Sequence, residues 1–274
     1  MKGELTKING AEIFWESAGE GSDVVLIHAG VADGRMWDEL FPVLAKKFRC
    51  IRYDLRGFGR STFPGGPYSH VADLDGLFHV ADIDSAAVVG ASVGGGVAID
   101  FSLVYPGRVT RLVLAASALG GHEWSRMVRE FGAAEDAALD ARDVDAAVEL
   151  NLRLWVDGPR RAPDAVSPEV RERVRQMQRL AFEKQLVADE QTPPPMPADE
   201  LDPPAAYRLG EIQVPTLVIA GDQDVPDFHD IAERIAGDIP NAKKVEISDA
   251  AHMLVVEKPA EFNDHVLKFL EGAT

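Results

Sequence analysis

The stretch Ala86-Ala87-Val88-Val89-Gly90-Ala91-Ser92-Val93-Gly94-Gly95-Gly96 decides the fold. Residues 86–90 are small or β-branched and apolar throughout, as in a strand buried on both faces. Residues 93–105 read as a helix that stops before Pro106-Gly107. Gly90-Ala91-Ser92-Val93-Gly94 therefore sits where a strand turns sharply into a helix. Such a turn forces its central residue into a strained backbone conformation and leaves no room for bulk two positions to either side. Gly90 and Gly94 meet that demand, and the helix N-terminus beneath Ser92 favours developing negative charge. A phosphate-binding turn would need a G-x-G-x-x-G spacing or a P-loop lysine, and this segment has neither. Ser92 is the candidate nucleophile.

Working outward, short apolar runs alternate with helical patterns, which predicts an α/β fold with a mostly parallel sheet. Strands are predicted at 5–8 and 11–17, joined by the hairpin signal Asn9-Gly10. Further strands are predicted at 24–28, 48–53, 86–90, 111–115, 216–220 and 243–247. Helices are predicted at 37–47, 70–80, 93–105, 227–236 and 260–270. The rhythm breaks between Leu119 and Pro204, where no strand-like run appears. There Val144, Val148, Leu152 and Trp155 form one helical stripe, and Val170, Val174, Met177 and Ala181 form a second. Ser167-Pro168 marks the start of that second helix. Residues 192–204 hold six of the seventeen prolines and read as an extended connector. The flanking segments, 1–118 and 205–274, need each other to complete one sheet. Residues 119–204 are thus a helical insertion, expected to form a cap over a pocket at the carboxyl ends of the strands.

A serine hydroxyl needs a base. Of seven histidines, His252 is the well-placed one. It follows the last predicted strand, in a loop at the sheet edge that also bears Ser92. The base in turn needs a carboxylate to fix its tautomer. Gly221-Asp222-Gln223-Asp224 leaves the neighbouring strand at the same edge and offers two candidates. The chain order nucleophile, acid, base belongs to one particular fold.

With these residues in view, the chain resembles the α/β-hydrolase fold family along nearly its whole length, most weakly in the insertion. His28-Ala29-Gly30, the run Asp54-Leu55-Arg56-Gly57-Phe58-Gly59-Arg60-Ser61, the Ser92 turn, and the loops carrying Asp224 and His252 make the resemblance. It implies an eight-stranded, mostly parallel sheet with helices on both faces. It also implies Asp224, ahead of Asp222, as the acid. An oxyanion hole needs two backbone N–H donors. Val93, the residue after the nucleophile, supplies one, and the resemblance maps the other onto Gly30. Ala29 stands where the family usually has glycine. His28 is expected to buttress its loop with Trp37 against it, and Arg56 and Asp54 to satisfy buried backbone groups. Leu152, Trp155, Val174 and Met177 are the expected cap contacts to substrate. Arg60, Arg160 and Arg161 are candidate contacts for an acidic substrate, against the ordinary alternative of a solvated face.

The implied activity is that of a cofactor-free serine hydrolase acting on a small or medium carboxylic ester or lactone through an acyl-enzyme. Carbon–carbon bond hydrolases and perhydrolases share the same three residues. A lid-gated small-molecule receptor is the alternative of a different class. Serine at position 92 argues against the branches that use aspartate as nucleophile.

Composition narrows the partners. The 274 residues carry 28 Lys and Arg against 45 Asp and Glu, a net charge of −17. That balance argues against nucleic acid and against an anionic membrane surface. No apolar run is long enough to cross a bilayer. The lone Cys50 sits in a predicted strand and excludes an intramolecular disulfide. The histidines are scattered, so no metal site is expected. The N-terminus lacks the apolar stretch of a signal peptide. A cytoplasmic monomer or homodimer with a small-molecule substrate is the expectation.

Overall fold

The structure, a computed structural model, describes residues 2–197 and 201–272. The expectations for Met1, for residues 198–200 of the proline-rich connector, and for 273–274 lie outside the described residues. Among the described residues, ten strands are formed: β1 (Lys2–Ile8), β2 (Ala11–Ala18), β3 (Asp23–Ile27), β4 (Arg49–Tyr53), β5 (Gly66–Tyr68), β6 (Ala86–Ala91), β7 (Val109–Ala115), β8 (Pro195–Pro197), β9 (Thr216–Gly221) and β10 (Ala242–Ile247). The helices are α1 (Phe41–Leu44), α2 (His70–Val80), α3 (Val93–Val104), α4 (Arg126–Asp140), α5 (Val144–Asn151), α6 (Pro168–Ala188), α7 (Pro226–Asp238), α8 (Leu254–Glu257) and α9 (Pro259–Leu270).

Eight strands make one sheet in the order β1-β2-β4-β3-β6-β7-β9-β10. Strand β2 runs antiparallel to both β1 and β4, and the remaining pairings are parallel. Period-two alternation sends each strand's side chains to two cores. Val25, Ile27, Val88 and Leu114 face α2, α3 and α7 through Leu77, Phe101 and Ile231. Val24, Leu26, Val89 and Val113 face α1 and α9 through Leu44, Phe262 and Val266. Cys50 is buried in this second core.

The order places the functional edge. The chain leaves β3 for β4 on one side and returns for β6 on the other, so β3 and β6 lie at the switch point of the sheet. Ile27 is registered with Gly90 across that pair. The loop after β3 therefore emerges beside Ser92. On the far side, Gly221 is registered with Ile247, which brings the Asp224 and His252 loops together.

Three local expectations differ from what is formed. The helix expected over 37–47 is a 3₁₀ turn, Gly34–Trp37, followed by the short α1. Pro42 lies in the first turn of α1, where its missing N–H costs nothing, and cannot sit deeper in a longer helix. The proline-rich connector is not featureless, because β8 pairs in parallel with β5. Proline's fixed φ suits an extended edge, and the Gly66 N–H donates to the Pro194 carbonyl. The stripe through Val148, Leu152 and Trp155 crosses from α5 into a π-helical turn, Leu152–Val156. The helices α4, α5 and α6 all lie between β7 and β9 in the chain. Among the described residues, no helix is long and apolar enough to cross a membrane.

Candidate active site

Ser92 joins β6 to α3 with φ 51 and ψ −120, a region that residues with a side chain rarely adopt. Its backbone is held there from every side. Its N–H donates to the Ala115 carbonyl, and its own carbonyl accepts from Gly95, Gly96 and Ala118. The flanking glycines are required by contact. A Cβ on Gly90 would overlap the Gly94 carbonyl, and one on Gly94 would overlap the carbonyls of Ile27 and His28.

His252 Nε2 lies 2.8 Å from Ser92 Oγ, and His252 Nδ1 lies 3.0 Å from Asp224 Oδ2. With Nδ1–H donating to the carboxylate, Nε2 is left to accept the serine hydroxyl proton. Asp224 is held in turn, since its Oδ1 accepts from the Val225 N–H at 2.7 Å. Both His252 and Asp224 are buried. Asp222 turns elsewhere and accepts from the Ala250 N–H. Asp249 pairs with Lys258 and does not engage the ring. The aromatic rings of Trp155 and Phe228 flank His252 at 4.8 and 4.2 Å between centroids.

Val93 and Gly30 face each other across the same opening. A Cβ placed on Gly30 would come 3.1 Å from Val93 Cγ2. The Val93 N–H is the first of α3 and has no acceptor within the helix. The Gly30 N–H has none among the described residues. His28 is structural: its Nδ1 donates to the Ala29 carbonyl and its Nε2 accepts from the Leu55 N–H at 2.9 Å. Burial lowers its pKa, in keeping with a neutral ring. Phe58 packs edge-on against its ring, while the Trp37 ring lies against Phe262 in the same buried cluster as Ala29. Asp54 accepts from the N–H groups of Gly34 and Arg60, and Arg56 pairs bidentately with buried Asp73.

Ser92, Val93, Gly30 and His252 open onto a cavity of about 540 Å³. Its core wall carries Arg56, Tyr68 and His70; burial pushes the His70 pKa down to about 4. Its opposite wall is built by the helices between β7 and β9, through Val128, Phe131, Trp155, Ala181 and Phe182. Of the four expected cap contacts, Trp155 lines the cavity. Leu152, Val174 and Met177 do not. They are fully buried against one another and against Val148 and Val156. The strongest stripe of each helix is used to hold the helices together, and the flanking positions face the cavity. Gln178, Gln185, Glu135 and Asn151 were missed for that reason. Their signal is a polar residue at a stripe position: Glu135 follows Val128 and Phe131 at i+7 and i+4 on α4.

The arginines expected to meet an acidic substrate are engaged elsewhere. Arg161 is nearly buried and pairs with Glu257, whose Oε1 also accepts from the Ala251 N–H beside His252. Arg160 donates to the Asp222 carbonyl, and Arg60 lies over the Phe14 ring. Trp155 accepts from the Met253 N–H at 3.2 Å. The π-helical turn is thereby joined directly to the residue after His252.

Comparison with known proteins agrees with this architecture. Residues 24–259 match the sequence profile of the alpha/beta hydrolase fold. A Bacillus subtilis protein, provisionally named 2-succinyl-6-hydroxy-2,4-cyclohexadiene-1-carboxylate synthase, is 29% identical over 259 residues, covering 90% of this chain and 89% of the relative. The pimeloyl-[acyl-carrier protein] methyl ester esterase of Nitrosospira multiformis is 27% identical over 269 residues, covering 94% and 97%. The enol-lactonase of Burkholderia xenovorans LB400 superposes with a TM-score of 0.79 at 25% identity, covering 98% of this chain and all of that one. The names describe different substrates, so the similarity carries the family and not the substrate. The chain belongs to the alpha/beta hydrolase fold family.

Proposed function

We propose that this member of the alpha/beta hydrolase fold family is a serine hydrolase of small or medium carboxylic esters or lactones, working through an acyl-enzyme without a cofactor. The observation that carries the reading is the line of contacts Ser92 Oγ–His252 Nε2–Asp224 at 2.8 and 3.0 Å, opening onto a cavity between the sheet edge and the inserted helices. The esterase and lactonase names among its relatives support it.

His252 takes the Ser92 proton as Oγ attacks the substrate carbonyl carbon. Asp224 stabilises the resulting imidazolium without itself taking the proton. The carbonyl oxygen, now an alkoxide, is held by the Val93 and Gly30 N–H groups. Each such donor typically contributes about 3–4 kcal/mol. Collapse breaks the carbonyl carbon–oxygen bond to the alcohol, and the alcohol leaves with the proton from His252. Water then enters, gives its proton to His252 and attacks the acyl carbonyl. The acid leaves, and the proton returns to Ser92. In a lactone the alcohol stays tethered to the acyl group, and the same steps open the ring.

Residues 119–204 act as the cap. Its apolar wall of Val128, Phe131, Trp155 and Phe182 excludes water from the acyl-enzyme until the leaving group departs. The test is a turnover screen across short-chain and medium-chain esters, lactones and thioesters, with Ser92→Ala as control. Multiple turnovers lost in the variant support the reading. A single turnover per molecule would indicate a receptor, and full activity in the variant would remove Ser92 from the chemistry.

A further inference from the structure

Three helices of the insertion each present a polar side chain to one apolar cavity wall. Glu135 comes from α4, Asn151 ends α5, and Gln178 lies mid-way along α6. Each occupies a stripe position that an apolar residue would fill at no cost. Asn151 and Gln178 are only 2% and 3% exposed. A buried polar group without a full set of partners is costly, so three converging on one wall call for a ligand.

The bonding pattern says what kind. Asn151 Nδ2 donates to Glu135 Oε2 at 2.6 Å and to the Ala147 carbonyl at 2.9 Å. Both partners are acceptors, which fixes the amide orientation and uses both N–H groups. Asn151 Oδ1 remains to accept. Glu135 Oε1 also has no donor among the described residues, and the Gln178 Oε1 is buried without a partner. Burial, against the Asn151 bond, raises the Glu135 pKa, as expected for a carboxylate short of donors. Glu135 Oε1 and Asn151 Oδ1 thus present acceptors to the cavity, and the Gln178 amide adds both an acceptor and a donor end. Across the cavity, the Arg56 guanidinium is neutralised by Asp73, and His70 has its charged form suppressed by burial. Asp189 adds a second acidic side chain to the walls.

We propose that Glu135, Asn151 and Gln178 form a substrate subsite that receives a hydrogen-bond donor — a hydroxyl, amide N–H or ammonium — on the non-reacting part of the ester or lactone. The inference rests on the hydrolase reading above and names its substrate class. Apolar substrates leave the acceptors empty, and a carboxylate at this position meets Glu135 unfavourably.

The test is a matched series of 4-nitrophenyl esters whose acyl chains, at several lengths, end in methyl, hydroxyl, acetamido, ammonium or carboxylate. The subsite predicts that, at the length that reaches it, donor-ended chains exceed the methyl-ended chain about 10- to 100-fold in kcat/KM. The carboxylate-ended chain should be the poorest. Glu135→Leu and Gln178→Leu, each checked for a cooperative thermal melt, should bring the donor-to-methyl ratio towards one. Glu135→Leu should also relieve the carboxylate penalty. The hydroxyl and ammonium arms separate a neutral donor from a cation. A flat ratio at every length, with turnover intact, overturns the subsite alone. Absence of turnover for every ester overturns the hydrolase reading and the subsite with it.

Discussion

Ser92 stores strain that two substitutions can measure. Its φ of 51 and ψ of −120 lie outside the regions open to alanine and within those open to glycine. Holding a side-chain-bearing residue there costs about 1–3 kcal/mol. Ser92→Ala and Ser92→Gly both remove the 2.8 Å contact to His252 Nε2, so that loss cancels between them. Glycine relieves the strain, but it gives up about 0.5–1 kcal/mol of backbone entropy and a few tenths of a kilocalorie of buried Cβ. The middle of these ranges leaves Ser92→Gly the more stable variant by about 1 kcal/mol. Ser102, inside α3, is the control. There Ser102→Gly should be less stable than Ser102→Ala by about 1 kcal/mol, the ordinary helix-interior penalty. Urea melts of the four variants give the comparison directly. A reversed sign between positions 92 and 102 supports a strained turn. If glycine is worse than alanine by the same amount at both, the turn is unstrained and the argument for its role fails.

Two further expectations concern charge. Asp224→Asn should lower kcat about 10⁴-fold, the loss seen when the orienting carboxylate of such a triad is replaced. Asp222→Asn, at a carboxylate that accepts from the Ala250 N–H rather than from His252, should stay within about tenfold of the parent in the same ester assay, on the order of one neutral hydrogen bond. Burial lowers the His70 pKa from 6.5 to about 4, so the unfolded chain takes up a proton that the native state refuses between those values. Its contribution is fully present above pH 6.5 and is lost as pH falls towards 4, at most on the order of 3 kcal/mol at 1.36 kcal/mol per pH unit. His70→Gln should flatten the urea-melt stability profile over that window; an unchanged slope would place the titration elsewhere.

What was legible in the sequence was local or directional. The Ser92 turn declares itself because two backbone segments crowd Gly90 and Gly94, and only glycine fits. Asp224 and His252 follow from strand order, since parallel strands deliver their loops to one edge, and registration of β9 with β10 sets those loops side by side. The insertion resisted because amphipathic stripes say that a face is buried and not against what. Leu152, Val174 and Met177 satisfy one another, and the cavity takes the neighbouring face. The pairing of β5 with β8 joins segments far apart in the chain through short, proline-rich edges, which carry no periodic pattern. Glu135, Asn151 and Gln178 were visible as polar interruptions of apolar stripes, a signal that gains meaning only when three helices are seen to converge.

The central claim is that Ser92 becomes acylated. Incubation with a fluorophosphonate, followed by intact-mass and peptide-mass analysis, tests it most directly. The account predicts one adduct per chain, on the peptide containing Ser92, with ester turnover lost in parallel and labelling much slowed in His252→Ala. Labelling at another residue, or ester turnover that persists after Ser92 is fully modified, would contradict it.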